Sequence, residues 1–149
     1  MRAVIQLVSK GDVLVKGEMS GAIDKGLCVL VGFEDDDTEN DMDWTIKKIM
    51  HLRIFSDGEK MNLNVEDIGG SLLIVSQFTL FASIKKGNRP SFIRAAKPEK
   101  AKELYERFVE KLTRNSSVPL AFGVFGAHME LNLSLDGPVT IMMDSKNKE

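Results

Sequence analysis

The chain of 149 residues has one cysteine, two histidines, four prolines and no long apolar run. A single cysteine forms no intrachain disulfide. Cys28, set among Leu27, Val29, Leu30 and Val31, reads as a buried thiol rather than a nucleophile or metal ligand. That usage fits a reducing, cytoplasmic address. No stretch approaches the roughly 20 apolar residues that cross a bilayer as a helix, so no membrane role is expected. Met1 to Gln6 enters a strand-like pattern without the charged leader and apolar core of a signal peptide. Phosphate-binding loops, paired-cysteine and His-Glu-x-x-His metal motifs and nucleophile elbows are all missing. His51 and His128 have no serine partner indicated by the sequence, so a histidine-based triad lacks support. Neither a metal nor a cofactor is expected.

At this length roughly 68% of the unfolded chain's surface is buried on folding, enough for a core without metal or disulfide staples. One domain over residues 1–149 is expected. The net charge of -2 conceals a separation of charge. Glu34, Asp35, Asp36, Asp37, Glu39, Asp41 and Asp43 follow one another without a lysine or arginine. Lys85, Lys86, Arg89, Arg94, Lys97, Lys100 and Lys102 are opposed within their own stretch by Glu99 alone. Such runs are either solvated surface or, for the basic one, a patch that meets a polyanion.

Alternating apolar residues predict strands over Arg2 to Ser9, Asp12 to Lys16 and Met19 to Asp24, with a turn at Lys16-Gly17-Glu18. The nearly continuous apolar run Leu27 to Phe33 predicts a central strand covered on both faces. Thr38, with Asp41 three residues on, caps a predicted helix from Glu39 to His51 whose Met42, Ile46, Ile49 and Met50 share a face. Trp44 lies at the edge of that stripe. Leu52 to Phe55 is a short strand, and Ser71 to Phe81 is the strongest strand prediction in the chain. Pro98 opens a second helix with the stripe Ala101, Leu104, Tyr105, Phe108 and Leu112. Asn115-Ser116-Ser117 reads as a linker, and Met129 to Leu135 and Val139 to Asp144 read as strands separated by Asp136-Gly137-Pro138. Two principal helices among many short strands indicate an α+β domain with a curved, barrel-like β-sheet.

Two short motifs invite chemistry. Ser76-Gln77-Phe78-Thr79 interrupts an apolar strand, and alternation puts Ser76 and Phe78 on one side and Gln77 and Thr79 on the other. These residues either satisfy buried backbone groups or face a cleft at the strand's end. Gly137-Pro138 either makes a sharp connection or exposes a carbonyl as a rigid probe of a small polar group. The isomer of its peptide bond is not specified by the residues.

Met1-Arg2-Ala3-Val4-Ile5-Gln6, Leu52-Arg53-Ile54-Phe55, Ser76-Gln77-Phe78-Thr79-Leu80, Gly87-Asn88-Arg89-Pro90-Ser91-Phe92 and Asp136-Gly137-Pro138-Val139-Thr140 together resemble, in order, the D-aminoacyl-tRNA deacylase family. The resemblance covers almost the full chain. It implies a cytoplasmic, homodimeric hydrolase that cleaves the ester joining D-amino acids, and in some cases glycine, to the terminal adenosine of mischarged tRNA. It also implies that Ser76, Gln77, Phe78 and Thr79 form the adenosine and ester pocket. A cis Gly137-Pro138 turn would enter the other subunit's pocket and reject L-side chains. On this basis the backbone amides of Phe78 and Thr79 stabilise an oxyanion, and the terminal ribose hydroxyl orients or activates the attacking water. Thr79 is assigned to positioning rather than attack because no base is evident beside it. Lys85, Lys86 and Arg89 are assigned to tRNA phosphates.

Two residues depart from the family pattern. Leu7 stands where arginine is usual, and Leu135 where asparagine is usual. Apolar packing in place of polar anchoring is one reading, and altered amino-acid specificity is another. An editing deacylase of changed specificity and a noncatalytic tRNA-binding dimer are the alternatives to the leading expectation.

Overall fold

The computed structural model describes residues 1–149 and is organised around one long strand, β1 (Arg2–Val15). Ala3, Ile5 and Leu7 are buried while Arg2, Val4 and Gln6 are half-exposed, the period-two signature of a strand with one covered face. The register against the last strand then slips between Val8 and Lys10. Val8 already faces the other way by alternation, and the extra residue after it exchanges the faces, so Val13 joins the cluster of Val8 rather than that of Ala3, Ile5 and Leu7. The two strands predicted over this segment are therefore one strand with a bulge.

Lys16 and Gly17 turn the chain into β2 (Glu18–Ile23), which pairs antiparallel with the second half of β1. β3 (Gly26–Gly32) pairs antiparallel with the first half. After α1 (Glu39–His51), a small hairpin is built from β4 (Phe55–Ser56) and β5 (Met61–Leu63). The strand predicted at Leu52 to Phe55 is thus displaced toward Ser56. β6 (Ser71–Ser76) and β7 (Leu120–Phe122) extend the main sheet in parallel, with α2 (Pro98–Asn115) between them in the chain. β8 (Glu130–Asp144) returns antiparallel along the other edge of β1.

The sheet order is β2-β1-β3-β6-β7, with β8 beside β1. β2 curls back to β7, where the Ser20 hydroxyl donates to the Phe122 carbonyl at 3.1 Å. This near closure explains why β3 is apolar throughout. Leu27 and Val29, beside Leu72 and Ile74, join the larger cluster with the helices, whereas Cys28, beside Leu73, joins the smaller one. Burial pushes the Cys28 thiol up to about 12, consistent with its packing role. The predicted α2 stripe is buried at all five positions.

The strand predicted through Phe81 ends at Ser76. Phe78–Phe81 form a 3₁₀ turn instead. β3 stops at Gly32, so the ladder loses its partner after Gln77 donates to the Val31 carbonyl at 2.7 Å. Phe81 then turns inward and is buried, where strand geometry would have continued the alternation.

Thr38 and Asp41 make the predicted cap, with the Asp41 carboxylate accepting from the Thr38 amide at 2.8 Å and its hydroxyl at 2.6 Å. Burial alone would raise the Asp41 carboxyl. Hydrogen bonds from the Thr38 hydroxyl, Ser145 and the Thr38 amide outweigh it and hold the carboxyl at about 2. A depressed folded-state value stabilises the fold above the unfolded carboxyl's range and ceases to do so as pH falls through about 2. Asp41→Ala should therefore cost about 1 kcal/mol at neutral pH. In urea unfolding, that difference from the parent should shrink progressively on acidification below about pH 4.

Candidate active site

β3 and β6 run parallel and end on the same side, so their last residues bound a common space. The crevice beyond the carboxyl ends of parallel strands is a favoured ligand site. Here it holds a cavity of about 290 Å³. Gly32, Ser76, Gln77 and Phe78 line one side, and Phe125, Gly126, His128 and Met129 line another. His128 is its only ionisable lining residue. Tyr105 steadies the far wall, its ring centroid 5.5 Å from that of Phe125.

Gly32 lets the two strand ends approach. A β-carbon there would fall 2.7 Å from the Gln77 carbonyl oxygen and 3.3 Å from the Leu80 β-carbon. Gln77 in turn accepts from the Leu80 amide at 3.3 Å, and Thr79 accepts from the Ala82 amide at 3.0 Å. The amides of Phe78 and Thr79 open this turn, and opening amides have no acceptor within it. The Gln77 side-chain amide donates to the Thr79 hydroxyl. An amide cannot take a proton from a hydroxyl, so this contact orients Thr79 without activating it. Thr79 itself does not line the cavity, although Ser76, Gln77 and Phe78 do. The exposed Phe78 ring packs edge-on against Phe92, with centroids 5.1 Å apart.

Gly137 and Pro138 lie elsewhere, on the outer strand. Gln6 pairs with Thr140 and Val8 with Leu135, so Asp136–Val139 bulge out opposite Leu7. The Gly137-Pro138 peptide is cis. Gly137 has φ 123°, and a β-carbon there would sit 2.9 Å from both the Val139 amide nitrogen and its Cγ2. Both turn residues are exposed, and neither lines the cavity of its own chain.

The family model described as D-Tyr-tRNA(Tyr) deacylase matches residues 4–144. The chain belongs to this family. Curated relatives named D-aminoacyl-tRNA deacylase agree over their whole length. That of Flavobacterium johnsoniae is 53% identical, covering 100% of each chain, and that of Natranaerobius thermophilus is 54% identical, covering 99% of each. Two solved structures share the deacylase family's fold. One, titled c-Myc DNA Unwinding Element Binding Protein, superposes with a TM-score of 0.92 at 39% identity, covering 97% of this chain and 98% of that one. The other, titled as a probable eukaryotic D-amino acid tRNA deacylase, gives 0.79 at 22% identity and covers 95% and 97%.

Several features of this deacylase-family chain were not evident from its sequence. Phe125 to Ala127 read only as a connection, His128 as an isolated histidine and Met129 as the start of a strand. The small pair Gly126-Ala127 beside an aromatic residue was the available sign, and it is common in ordinary turns. The basic segment also divides. Arg94 faces Glu34 at 3.6 Å, and Lys100 and Lys102 face Glu103 and Glu106 on α2. Lys85, Lys86 and Arg89 are exposed and pair with no acid of this chain. Their loop is pinned at its base by reciprocal Ser83–Ser91 backbone bonds of 2.8 and 2.9 Å, directly after the 3₁₀ turn.

Carboxylate oxygens of Glu34, Asp36 and Asp37 lie within 4.8 Å of one another, the spacing of a cation site. Lys146 already serves all three, and the ammonium of Met1 binds Asp37. This group does not line the cavity. Of the two departures, Leu7 is buried in the core, while Leu135 is 48% exposed at the foot of the bulge.

Gly32→Ala should force β3 and the turn apart, lowering stability by about 1–3 kcal/mol. Hydrogen exchange at the Phe78, Thr79 and Leu80 amides should accelerate in that variant beyond the change seen in the helices.

Proposed function

We propose that this chain hydrolyses the ester linking D-amino acids to the terminal adenosine of mischarged tRNA, as an enzyme of translation quality control. The observation that carries the reading is the cavity at the ends of β3 and β6, bordered by a 3₁₀ turn with unpaired leading amides, in a chain of this family. The amides of Phe78 and Thr79 stabilise the oxyanion that forms when water attacks the ester carbonyl. Ser76 and Gln77 hold the terminal nucleoside, and Thr79 keeps the Gln77 amide oriented. The terminal ribose hydroxyl orients or activates the water, so hydrolysis needs no histidine base.

The active form is a homodimer with cross-subunit sites. Support comes from the exposed Gly137-Pro138 bulge on the outer strand β8, which has no cavity to fill in its own chain. Inserted into the partner's cavity, the Gly137 carbonyl accepts from the substrate amino group while Pro138 occupies the volume an L-side chain needs. Glycine has no side chain to exclude, so glycyl-tRNA is also cleaved. Lys85, Lys86 and Arg89 contact tRNA phosphates, a role their lack of acidic partners leaves open. The enzyme works in the cytoplasm, where its substrate is charged. A second reading, altered amino-acid specificity, is favoured by Leu7 and Leu135 flanking the bulge. It would appear as a displaced substrate preference rather than lost activity, whereas a noncatalytic tRNA-binding dimer would show no hydrolysis.

With matched substrates, the purified protein should cleave D-aminoacyl-tRNA at least about 100-fold faster than its L-counterpart, and Pro138→Gly should narrow that ratio at least about tenfold. Equal rates on both enantiomers in the parent would reject the chirality assignment, and a covalent acyl-Thr79 species would reject the water mechanism. Neutralising Lys85, Lys86 and Arg89 together should raise KM and reduce the slope of log affinity against log salt by about 2. An unchanged slope would remove these residues from the tRNA surface.

A further inference from the structure

Arg2 stands at the start of β1, outside the motifs that line the cavity, yet its guanidinium reaches the 3₁₀ turn. Nη1 donates to the Leu80 carbonyl at 2.9 Å, and Nε donates to Asp144 Oδ2 at 2.9 Å. Cζ lies 4.8 Å from the centroid of the buried Phe81 ring. One planar group thus touches two residues of the turn and one of β8. Arg2 and Asp144 are also direct partners in the β1–β8 register, so the acid is presented to the arginine by the sheet itself.

The turn needs such an anchor. It has four residues, and its first closing bond, from the Leu80 amide to Gln77, is long at 3.3 Å. Beyond the Gln77–Val31 bond the sheet ladder no longer holds it. The Leu80 carbonyl is taken by Arg2, and a partly buried carbonyl deprived of its charged donor would have to find another partner. A fork of donors fixes both position and orientation, which a point charge cannot do. Arg94 also approaches the Phe81 ring, with Cζ 5.7 Å from the centroid, but its ion pair is with Glu34.

We propose that Arg2 is a positioning residue for ester hydrolysis, holding the Leu80 carbonyl so that the Phe78 and Thr79 amides meet the oxyanion. The inference rests on the proposed deacylase reading. Arg2 touches no reacting atom, and its effect is transmitted through the turn. Asp144 orients the guanidinium, and the same strand carries the Gly137-Pro138 bulge.

Misplacing catalytic donors by a fraction of an ångström lowers the chemical step far more than it lowers substrate binding. Single-turnover rates and KM for a D-aminoacyl-tRNA should therefore be measured for the parent, Arg2→Ala, Arg2→Lys and Arg94→Ala. The expected result is a loss of at least about tenfold in the rate of Arg2→Ala with KM nearly constant. Arg2→Lys should recover only part of it, and Arg94→Ala should stay close to the parent. The proposal is overturned if the Arg2→Ala rate stays near that of the parent, if its loss lies in KM alone, or if Arg94→Ala loses as much, which would assign the effect to Phe81 packing. Should Arg2→Ala fail to fold, Arg2→Lys decides: it keeps the aliphatic stem and the charge facing Asp144 but not both bonds, and a parental rate would overturn the proposal. A parent inactive on every D-aminoacyl-tRNA would reject the underlying reading instead, a result distinct from an active parent with indifferent Arg2 variants.

Discussion

The hydrogen bond from the Gln77 amide to the Val31 carbonyl is the point on which the site depends, because it ends the pairing of β3 with β6. Up to that bond the backbone donors and acceptors of the two strands are committed to each other. Beyond it the chain satisfies its polar groups locally, and a tight helical turn does so with few residues. The turn leaves its leading amides uncommitted, and uncommitted donors at the rim of a cavity can serve a developing negative charge. Gly32 makes the junction sterically accessible. Main-chain catalysis, as proposed above, calls for neither histidine nor cysteine: the donors on offer are made by where a ladder stops.

Charge is arranged with the same economy. The acids that follow β3 are drawn together around Lys146 and the ammonium of Met1, tying the beginning and end of the described chain to the segment before α1. Glu39 at the start of α1 pairs with Arg107 and Lys111 of α2, joining the two helices across the sheet's covered face. Such contacts neutralise much of the acidic run within the fold. The lysines and arginine of the loop after Phe81 remain available to an external polyanion.

Periodicity revealed both helices, the Thr38–Asp41 cap and the apolar double-sidedness of β3, since each depends on local spacing. It could not reveal that β1 and β8 are single strands, because a bulge changes which face a residue occupies and resembles a break between strands. β7, with three residues, was too short to generate a pattern. The Ser76-Gln77-Phe78-Thr79 motif was visible as a polar interruption, but its turn begins where pairing with Val31 and Gly32 ends, and those residues are distant in the chain. The Gly137-Pro138 motif was equally visible. Its location away from the cavity of its own chain follows from the pairing of β8 with β1, which no short motif encodes. The far wall around Phe125 and His128 was hidden for the same reason.

The bulge on β8 has a further mechanical property. Residues on either side of Asp136–Val139 are aligned with β1 independently, by Gln6–Thr140 on one side and Val8–Leu135 on the other. An insertion or deletion inside the bulge is absorbed there, whereas the same change within a continuous ladder would invert every downstream side chain. The length of this projecting segment, and with it the depth to which its tip extends, can be altered in steps of about 3.3 Å or less while the sheet beneath keeps its alignment.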